Sequence, residues 1–248
     1  MFFMNTDGQP FADEKLNRDY VEFLDKQRTT LARFAIDAAD FHPCPDDATG
    51  QSAFDRHYVY HTAWAARVLK EQGVEAHVDI SSYLYFSTLV SAFIPVRYYE
   101  YRPCDLALSG FSAGHQDLMG LSFEDGSIPS LSCMHVVEHI GLGRYGDKID
   151  PDGDLKAISE LKRVVAPGGL LLFVTPCGAK SRICFNAHRI YTYAQVMSYF
   201  EGFEPIKVSL ITDQPDDPDF IDQATEEDFN RQRYGCGCFA LRKIKNHG

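Results

Sequence analysis

The segment from Asp117 to Pro176 constrains the fold of this chain more than any other part of the sequence. An apolar, strand-like stretch at 130–137 ends in two titratable residues, Glu138 and His139. A second apolar stretch, LLLFV, occupies 170–174 and has the composition of a buried strand. In α/β proteins the chemistry tends to lie at the carboxyl ends of such strands.

The residues between the two apolar stretches have the pattern of a helix. Pro151 is placed to open it, and Pro167-Gly168-Gly169 is placed to stop it. Apolar residues recur at helical spacing between these points, at Leu155, Ile158, Leu161 and Val165. A strand, a helix and a strand in that order predict a crossover unit of a parallel sheet, which is typical of an α/β fold with both faces covered.

The text of this segment, LSFEDGSIPSLSCMHVVEHI followed by LKRVVAPGGLLLFVTP, resembles the central half of class I S-adenosylmethionine-dependent methyltransferases. The likeness continues through TYAQVMSYFEGFEPIKVSLI to a closing strand at GCGCFALRKI, and it covers about two thirds of the chain, from Ala76 onward. The stretches HVVEHIGLGRYGDKIDPDGD and RICFNAHRIY resemble more closely a methyltransferase-like family of unknown function.

The resemblance implies a Rossmann-like, seven-stranded, mostly parallel sheet with strand order 3-2-1-4-5-7-6 and helices on both faces. We expect this domain at 75–248, preceded by a helical extension at 1–74. Within the extension, Phe11–Asp40 favours one long or two shorter helices, and Phe54–Gln72 favours another helix that ends at Gly73. The rings of this last helix favour packing on the sheet, although a helix at this place in methyltransferases commonly covers the cofactor cleft.

The resemblance also implies a binding site for S-adenosylmethionine. The text HVDISSYLYF matches the glycine-rich turn that follows the first strand of the family. It keeps Asp79, but Ser81, Tyr83 and Tyr85 stand at the positions of the three glycines, whose missing side chains let the backbone approach the cofactor. The two tyrosines must either point away from the cofactor or fill part of its cavity.

The other cofactor anchors lie further along the chain. Glu100 follows Asp79 by 21 residues, where the family has a carboxylate that accepts hydrogen bonds from both ribose hydroxyls. Asp117 matches the aspartate that receives the adenine amino group. The resemblance adds Leu118 and His135 to the expected cofactor-binding set.

Methyl transfer requires a positioned acceptor and a base that removes its proton. The candidates for the base are Glu138, His139 and His188, because the carboxyl ends of parallel strands share one edge. The candidates for binding a small polar acceptor, for example a sugar-derived one, are Arg144, Asn186 and Arg189. The alternative function is a non-catalytic or repurposed binding module that kept the fold after losing the glycine turn.

The run from His135 to His139 also spells H-x-x-E-H, the zinc pattern of inverted zincin proteases. That pattern requires a helix, whereas the preceding residues are strand-like and Gly141 and Gly143 follow closely. No third ligand is evident from the spacing. We therefore expect no bound metal, and the plainer interpretation of the two histidines is that they end a strand without a catalytic task.

The net charge of −11 is concentrated in one segment. Residues 213–228 hold eight acidic residues and no basic one, and the remaining residues have a net charge of −3. The Pro and Asp content of this run predicts a solvated loop between the last two strands, with a cation or partner site as the alternative. Because no basic stripe is present to bind a phosphate backbone, nucleic acid is a poor candidate substrate.

The seven cysteines are scattered and include no C-x-x-C pair, which indicates reduced thiols. The longest apolar runs are only a few residues long, which argues against a membrane span or a secretory signal. We therefore expect a cytoplasmic protein that acts on a small molecule, with no membrane or nucleic-acid partner. Its oligomeric state does not follow from the sequence.

Overall fold

The computed structural model describes residues 14–28, 34–40 and 42–245, and the chain divides into two units at 1–54 and 55–248. In the smaller unit, helix α1 spans Glu14–Arg28, and single 3₁₀ turns lie at Ala38–Asp40 and Pro45–Asp47. Part of the helical stretch expected at 11–40 is therefore helix. Residues 11–13 and 29–33 of that stretch lie outside the described residues.

The larger unit contains five further helices and ten strands among the residues that the structure describes. Its elements are α2 (Arg56–Glu71), β1 (His77–Ile80), α3 (Leu84–Val90), β2 (Val96–Glu100), β3 (Phe111–His115), β4 (Ile128–Met134), α4 (Gly153–Val164), β5 (Val165–Cys177), β6 (Arg182–Cys184), β7 (His188–Ile190), α5 (Tyr193–Tyr199), β8 (Phe203–Ile211), β9 (Phe220–Ile221), α6 (Glu226–Asn230) and β10 (Gly235–Lys243). A 3₁₀ turn at Val137–His139 follows β4.

Eight of the strands form one sheet in the order β3-β2-β1-β4-β5-β10-β8-β9, and β6 pairs with β7 as a separate hairpin. Strands β1 to β5 run parallel, and β10 is antiparallel to both β5 and β8. With β8 and β10 as the sixth and seventh strands, the predicted order 3-2-1-4-5-7-6 is confirmed, and β9 adds a short edge strand beside β8. The carboxyl ends of β1, β2 and β4 consequently lie at one edge of the sheet.

Helix α2 packs against the sheet. The Asp55 carboxylate accepts a hydrogen bond from the Tyr58 N–H at 3.1 Å and so caps the first turn, and Gly73, at φ +62°, follows the last turn. Trp64 and Val68 face inward, into an apolar cluster with residues of β4, β5 and β10. This packing explains why α2 belongs to the larger unit, whereas the sequence placed the division at 74/75.

Helix α4 follows the predicted pattern except at its end and at Leu155. It stops at Val164, before the Pro167-Gly168-Gly169 sequence, because Val165 is already extended (ψ 130°) and pairs with Ile128 of β4. The Pro-Gly-Gly sequence therefore lies in the first part of β5. Leu155, expected on the buried face, is exposed; the buried positions include Ala157 and Val164.

The acidic run at 213–228 is more structured than a solvated loop. The Asp213 carboxylate accepts hydrogen bonds from the backbone N–H groups of Arg233 and Tyr234. Asp219 forms an ion pair with Arg56 at 2.6 Å. The run also contains most of α6, whose Phe229 is fully buried. Hydrogen bonds and ion pairs with other parts of the chain therefore use several of its charges.

All seven cysteines are free thiols in the structure. Among the described residues, the helices are too short or too polar to span a membrane.

Candidate functional site

A cavity of about 480 Å³ opens at the carboxyl edge of the sheet, where β1, β2 and β4 end. Its walls come from the turn after β1, the end of β2, the segment after β3 and the loop after β4. The lining residues are Ile80, Ser81, Ser82, Tyr99, Glu100, Tyr101, Arg102, Gln116, Asp117, Leu118, Met119, His135, Val136, His139, Ile140, Tyr145, Asp147 and Lys148. Six of the expected site residues are therefore brought together here: Ser81, Glu100, Asp117, Leu118, His135 and His139.

The two tyrosines of the degenerate turn do not line this cavity. Tyr83 has φ −109° and precedes the first residue of α3, so the backbone needs no left-handed residue at this position. Its ring packs on Tyr58, with ring centroids 4.8 Å apart, and on Tyr85, at 5.4 Å. The Tyr85 side chain is 69% exposed. Of the two alternatives left open by the sequence, the structure shows the one in which the rings point away.

Glu100 and Asp117, the expected anchors for the ribose and the adenine, both line the cavity. Burial raises the pKa of Glu100, and the guanidinium of Arg102, 3.7 Å away, acts in the opposite direction. One oxygen of Asp117 accepts a hydrogen bond from the Met119 N–H at 2.9 Å, which fixes the turn after β3. Leu118, between these turn residues, is buried and supplies an apolar wall.

The structure corrects the expectation that Asp79 belongs to the cofactor-binding residues. Its carboxylate is fully buried and accepts hydrogen bonds from the hydroxyls of Ser81, Ser87 and Ser132, so it does not line the cavity. Because Ser132 donates its proton to Asp79, it accepts from Nε2 of His77 at 2.8 Å. Asp79 therefore holds the turn after β1 in place, and Ser81 reaches the cavity with its hydroxyl already donated to that carboxylate.

The chain leaves β4 through an unusual conformation. His135 has φ 55°, and it is the one non-glycine residue with positive φ among those described. The 3₁₀ turn at Val137–His139 follows, so the H-x-x-E-H text does not lie on the helix that an inverted zincin requires. This backbone brings Nδ1 of His135 within 2.8 Å of Oε1 of Glu138.

Glu138 was expected to act as a base, but the structure gives it a different position. Its side chain is buried and is absent from the cavity wall. Burial raises the pKa of Glu138, but the hydrogen bond from His135 acts in the opposite direction, and the pKa is held below its ordinary value. The carboxylate therefore stays ionised and orients His135, with no open path to an acceptor in the cavity.

His139 is the expected base that does line the cavity. Its Nδ1 lies 2.6 Å from the carbonyl oxygen of Ala187 and donates to it, which leaves Nε2 as a proton acceptor. Burial lowers the pKa of His139 below 6.5, although the nearby Glu138 carboxylate acts in the opposite direction. The imidazole is consequently neutral at pH 7.

The remaining expected residues lie around the β6–β7 hairpin, outside the cavity wall. The ring of His188 packs on Tyr234, with centroids 5.1 Å apart, and lies 6.5 Å from the ring of His139. Arg144 is exposed and donates to the Ala187 carbonyl at 3.0 Å. Asn186 is exposed between the two hairpin strands.

Arg189 is a third correction, after Asp79 and Glu138. Its buried guanidinium donates to the carbonyls of Ile140 at 2.6 Å and Pro151 at 3.1 Å, and it pairs with Asp154 at 3.6 Å. These contacts clamp the loop after β4 to the hairpin and leave the side chain unavailable to a substrate.

Several cavity residues were missed by the sequence analysis. Tyr99 and Arg102 lie close to Glu100 at the end of β2. Their position beside an expected cofactor anchor could have predicted that they line the cavity. Tyr145 and Lys148 come from the long loop after β4, where nothing in the sequence distinguishes them from their neighbours.

Solved structures with this architecture include methyltransferases. The structure of the N-methyltransferase NodS from Bradyrhizobium japonicum WM9 in complex with S-adenosyl-L-homocysteine matches with a TM-score of 0.52 and 13% identity, over 76% of this chain and 87% of that chain. The [4+2]-cyclase SpnF matches with a TM-score of 0.51 and 12% identity, over 75% of this chain and 82% of that chain. At such identities the likeness shows the fold alone.

No curated protein matches the sequence. Residues 122–244 match the model of a family described as "Caenorhabditis protein of unknown function, DUF268". This chain therefore has the fold of class I S-adenosylmethionine-dependent methyltransferases and contains a region that matches DUF268.

Proposed function

We propose that the chain binds S-adenosylmethionine in the cavity at the carboxyl edge and transfers its methyl group to a small polar acceptor. The observation that carries this proposal is the composition of the cavity wall. Glu100 and Asp117 line it, while Tyr83 and Tyr85, which replace family glycines, do not. The loss of the glycine turn has therefore left space where the cofactor would lie.

The residues present fit such a cofactor. A volume of about 480 Å³ is within the range of small-molecule sites. The two oxygens of Glu100 suit the vicinal hydroxyls of a ribose, and its side chain is 27% exposed, which leaves it accessible from the cavity. Leu118 and Met119 offer apolar surface on the neighbouring wall. When bound, the cofactor supplies an electrophilic methyl group.

The chain's own contribution to the reaction is proton removal and positioning. His139 is neutral at pH 7 and has Nε2 available as an acceptor, since Nδ1 is bound to the Ala187 carbonyl. A hydroxyl or amine acceptor in the cavity would lose its proton to this nitrogen. General-base assistance of this kind contributes about 10²- to 10⁴-fold to a rate.

Binding of S-adenosylhomocysteine, measured by isothermal titration calorimetry, tests the proposal. We expect the wild-type chain to bind and Glu100→Ala to bind about 10- to 100-fold more weakly, because loss of a charged hydrogen-bonding group costs about 1.5–3 kcal/mol. Glu75→Ala is the matched control, since Glu75 is an exposed glutamate just before β1, at the opposite edge of the sheet. Absence of heat and of a thermal shift with the wild type at millimolar ligand contradicts the proposal.

The second candidate is a binding module or an enzyme of different chemistry on the same fold. The match to a [4+2]-cyclase favours this second candidate, because a protein described by a different reaction shares this architecture. Binding of S-adenosylhomocysteine that Glu100→Ala leaves unchanged would favour this candidate over methyl transfer.

A further inference from the structure

Three side chains from distant parts of the chain converge beside the cavity. His57 lies in the first turn of α2, His135 follows β4, and Cys236 lies in β10. One nitrogen of each histidine and the sulfur of the cysteine lie within 4.8 Å of one another. Nε2 of His135 and Sγ of Cys236 are 3.3 Å apart. This contact joins residues separated by 101 positions in the sequence.

We propose that His57, His135 and Cys236 form a binding site for a divalent transition metal, with zinc as the best fit. Imidazole nitrogen and thiolate sulfur are ligands that zinc prefers. With Zn–N and Zn–S bonds of usual length at a tetrahedral angle, the nitrogen and sulfur are about 3.5 Å apart. The observed separation of 3.3 Å is close to that value, and a ring nitrogen of His57 lies within 4.8 Å of both atoms.

The orientation of His135 supports this assignment. Its Nδ1 donates to the buried carboxylate of Glu138 at 2.8 Å, which leaves the lone pair of Nε2 directed to the Cys236 sulfur. A histidine that ligates a metal commonly donates its other ring N–H to a carboxylate in this way, which fixes the tautomer and strengthens the ligand. In the absence of a metal the thiol proton bonds Nε2, and a metal ion takes the place of that proton.

The position of the cluster gives the metal a role that does not depend on the cofactor. His135 belongs both to the cluster and to the cavity wall, so an ion held here lies beside the cavity. Three protein ligands leave one tetrahedral position for water or for an oxygen of a bound molecule. An ion in this position would polarise a hydroxyl-bearing ligand.

This site differs from the zinc pattern considered in the sequence. An H-x-x-E-H helix would use His135 and His139 as its two histidine ligands. Here Nδ1 of His139 is bound to the Ala187 carbonyl, and the partners of His135 come from α2 and β10. The expectation that no metal binds rested on the missing helix and on local spacing, neither of which bears on this cluster.

The test uses the full chain without a histidine tag, stripped of metal by a chelator and then loaded with zinc(II) or cobalt(II). We expect stoichiometric zinc by elemental analysis, and with cobalt(II) a thiolate-to-metal charge-transfer band in the near ultraviolet. Cys236→Ser should lose the band, and both Cys236→Ser and His57→Asn should lose the zinc. Glu138→Gln should weaken zinc affinity about 10- to 100-fold, as measured by competition with a chromophoric chelator.

Cys238→Ser is the matched control, because Cys238 is buried in the same strand but is not part of the cluster. It should keep both the zinc and the band. His57 lies at the helix start and is only partly buried, so His57→Asn gives a folded variant, checked by circular dichroism, even where Cys236→Ser does not fold. The proposal is overturned if the wild type holds no more zinc than His57→Asn, or if the band survives in Cys236→Ser.

Discussion

The ends of the neighbouring strands β1 and β2 each carry a carboxylate that family resemblance assigns to the cofactor, yet the two have different environments. Asp79 is fully buried and accepts hydrogen bonds from three serine hydroxyls. Glu100 is 27% exposed, lines the cavity, and has one charged neighbour, Arg102, at 3.7 Å. The difference shows that a position in a motif does not decide whether a carboxylate supports the fold or is available to a ligand. The direction of the side chain relative to the sheet decides it.

The largest expected effect concerns stability at Asp79. Asp79→Ala should lower the free energy of unfolding by about 3 kcal/mol, because three buried hydroxyls lose their acceptor. Urea unfolding monitored by circular dichroism measures this change. Glu100→Ala is the control, and it should change stability by only about 0.5 kcal/mol because its side chain is partly exposed.

The assignment of Asp79 to the fold and of Glu100 to the ligand site is contradicted if the two variants give the opposite results. An Asp79→Ala variant that is as stable as the wild type but no longer binds S-adenosylhomocysteine would return Asp79 to the cofactor site.

The second prediction is a pH dependence that belongs to the Asp79 region. Complete burial lowers the pKa of His77 to about 3, whereas an unfolded histidine titrates at 6.5. Folding favours the neutral imidazole, so the contribution of His77 to the free energy of unfolding is fully present above pH 6.5. That contribution is lost as the pH falls from 6.5 toward 3. Each pH unit in that window costs about 1.4 kcal/mol.

His77→Gln removes the titrating group while keeping a side chain that can bond Ser130 and Ser132. The measurement is urea unfolding at about pH 6 and pH 5 for both proteins. The loss of stability between these two values should be smaller in the variant by about 1.4 kcal/mol. An equal loss in both proteins would show that His77 is not buried as neutral imidazole.

The smallest expected effect concerns the two tyrosines between these regions. Tyr85→Gly should cost about 1 kcal/mol, because glycine in a helix adds chain entropy to the unfolded state and the exposed ring contributes little packing. Tyr83→Gly removes the ring contacts with Tyr58 and Tyr85. Affinity for S-adenosylhomocysteine should remain nearly unchanged in both variants. Binding that appears or strengthens would mean that the rings occupy the cavity.

Local pattern was enough to predict much of the architecture. Helical spacing and stop signals predicted α2 and α4, and the strand–helix–strand order predicted the parallel sheet around β4 and β5. Family resemblance supplied the strand order, which the structure confirms. Family resemblance also indicated Glu100 and Asp117, and the convergence of strand ends in a parallel sheet indicated His139. All three line the cavity.

The expectations that were wrong concern burial. Arg189 was assigned to an acceptor because it lies in a loop near the expected site, but its guanidinium binds two backbone carbonyls in the interior. Glu138 was assigned as a base because it ends a strand, but it is enclosed beside His135. Charged residues in loops and at strand ends are usually exposed. Arg189 is buried because carbonyls and Asp154 bind its guanidinium, and Glu138 is buried with one oxygen bound to His135.

The sequence by itself determined the fold class of this protein, because helical and strand periodicities are local and each predicted element must bury its apolar face. Only the tertiary structure decided that Asp79 faces three serines and Glu100 faces the cavity. It also decided that His57, His135 and Cys236 meet. Their convergence depends on the packing of α2 and β10 against β4 and β5. The spacing of residues within a short segment does not predict a contact between residues that are far apart in the chain.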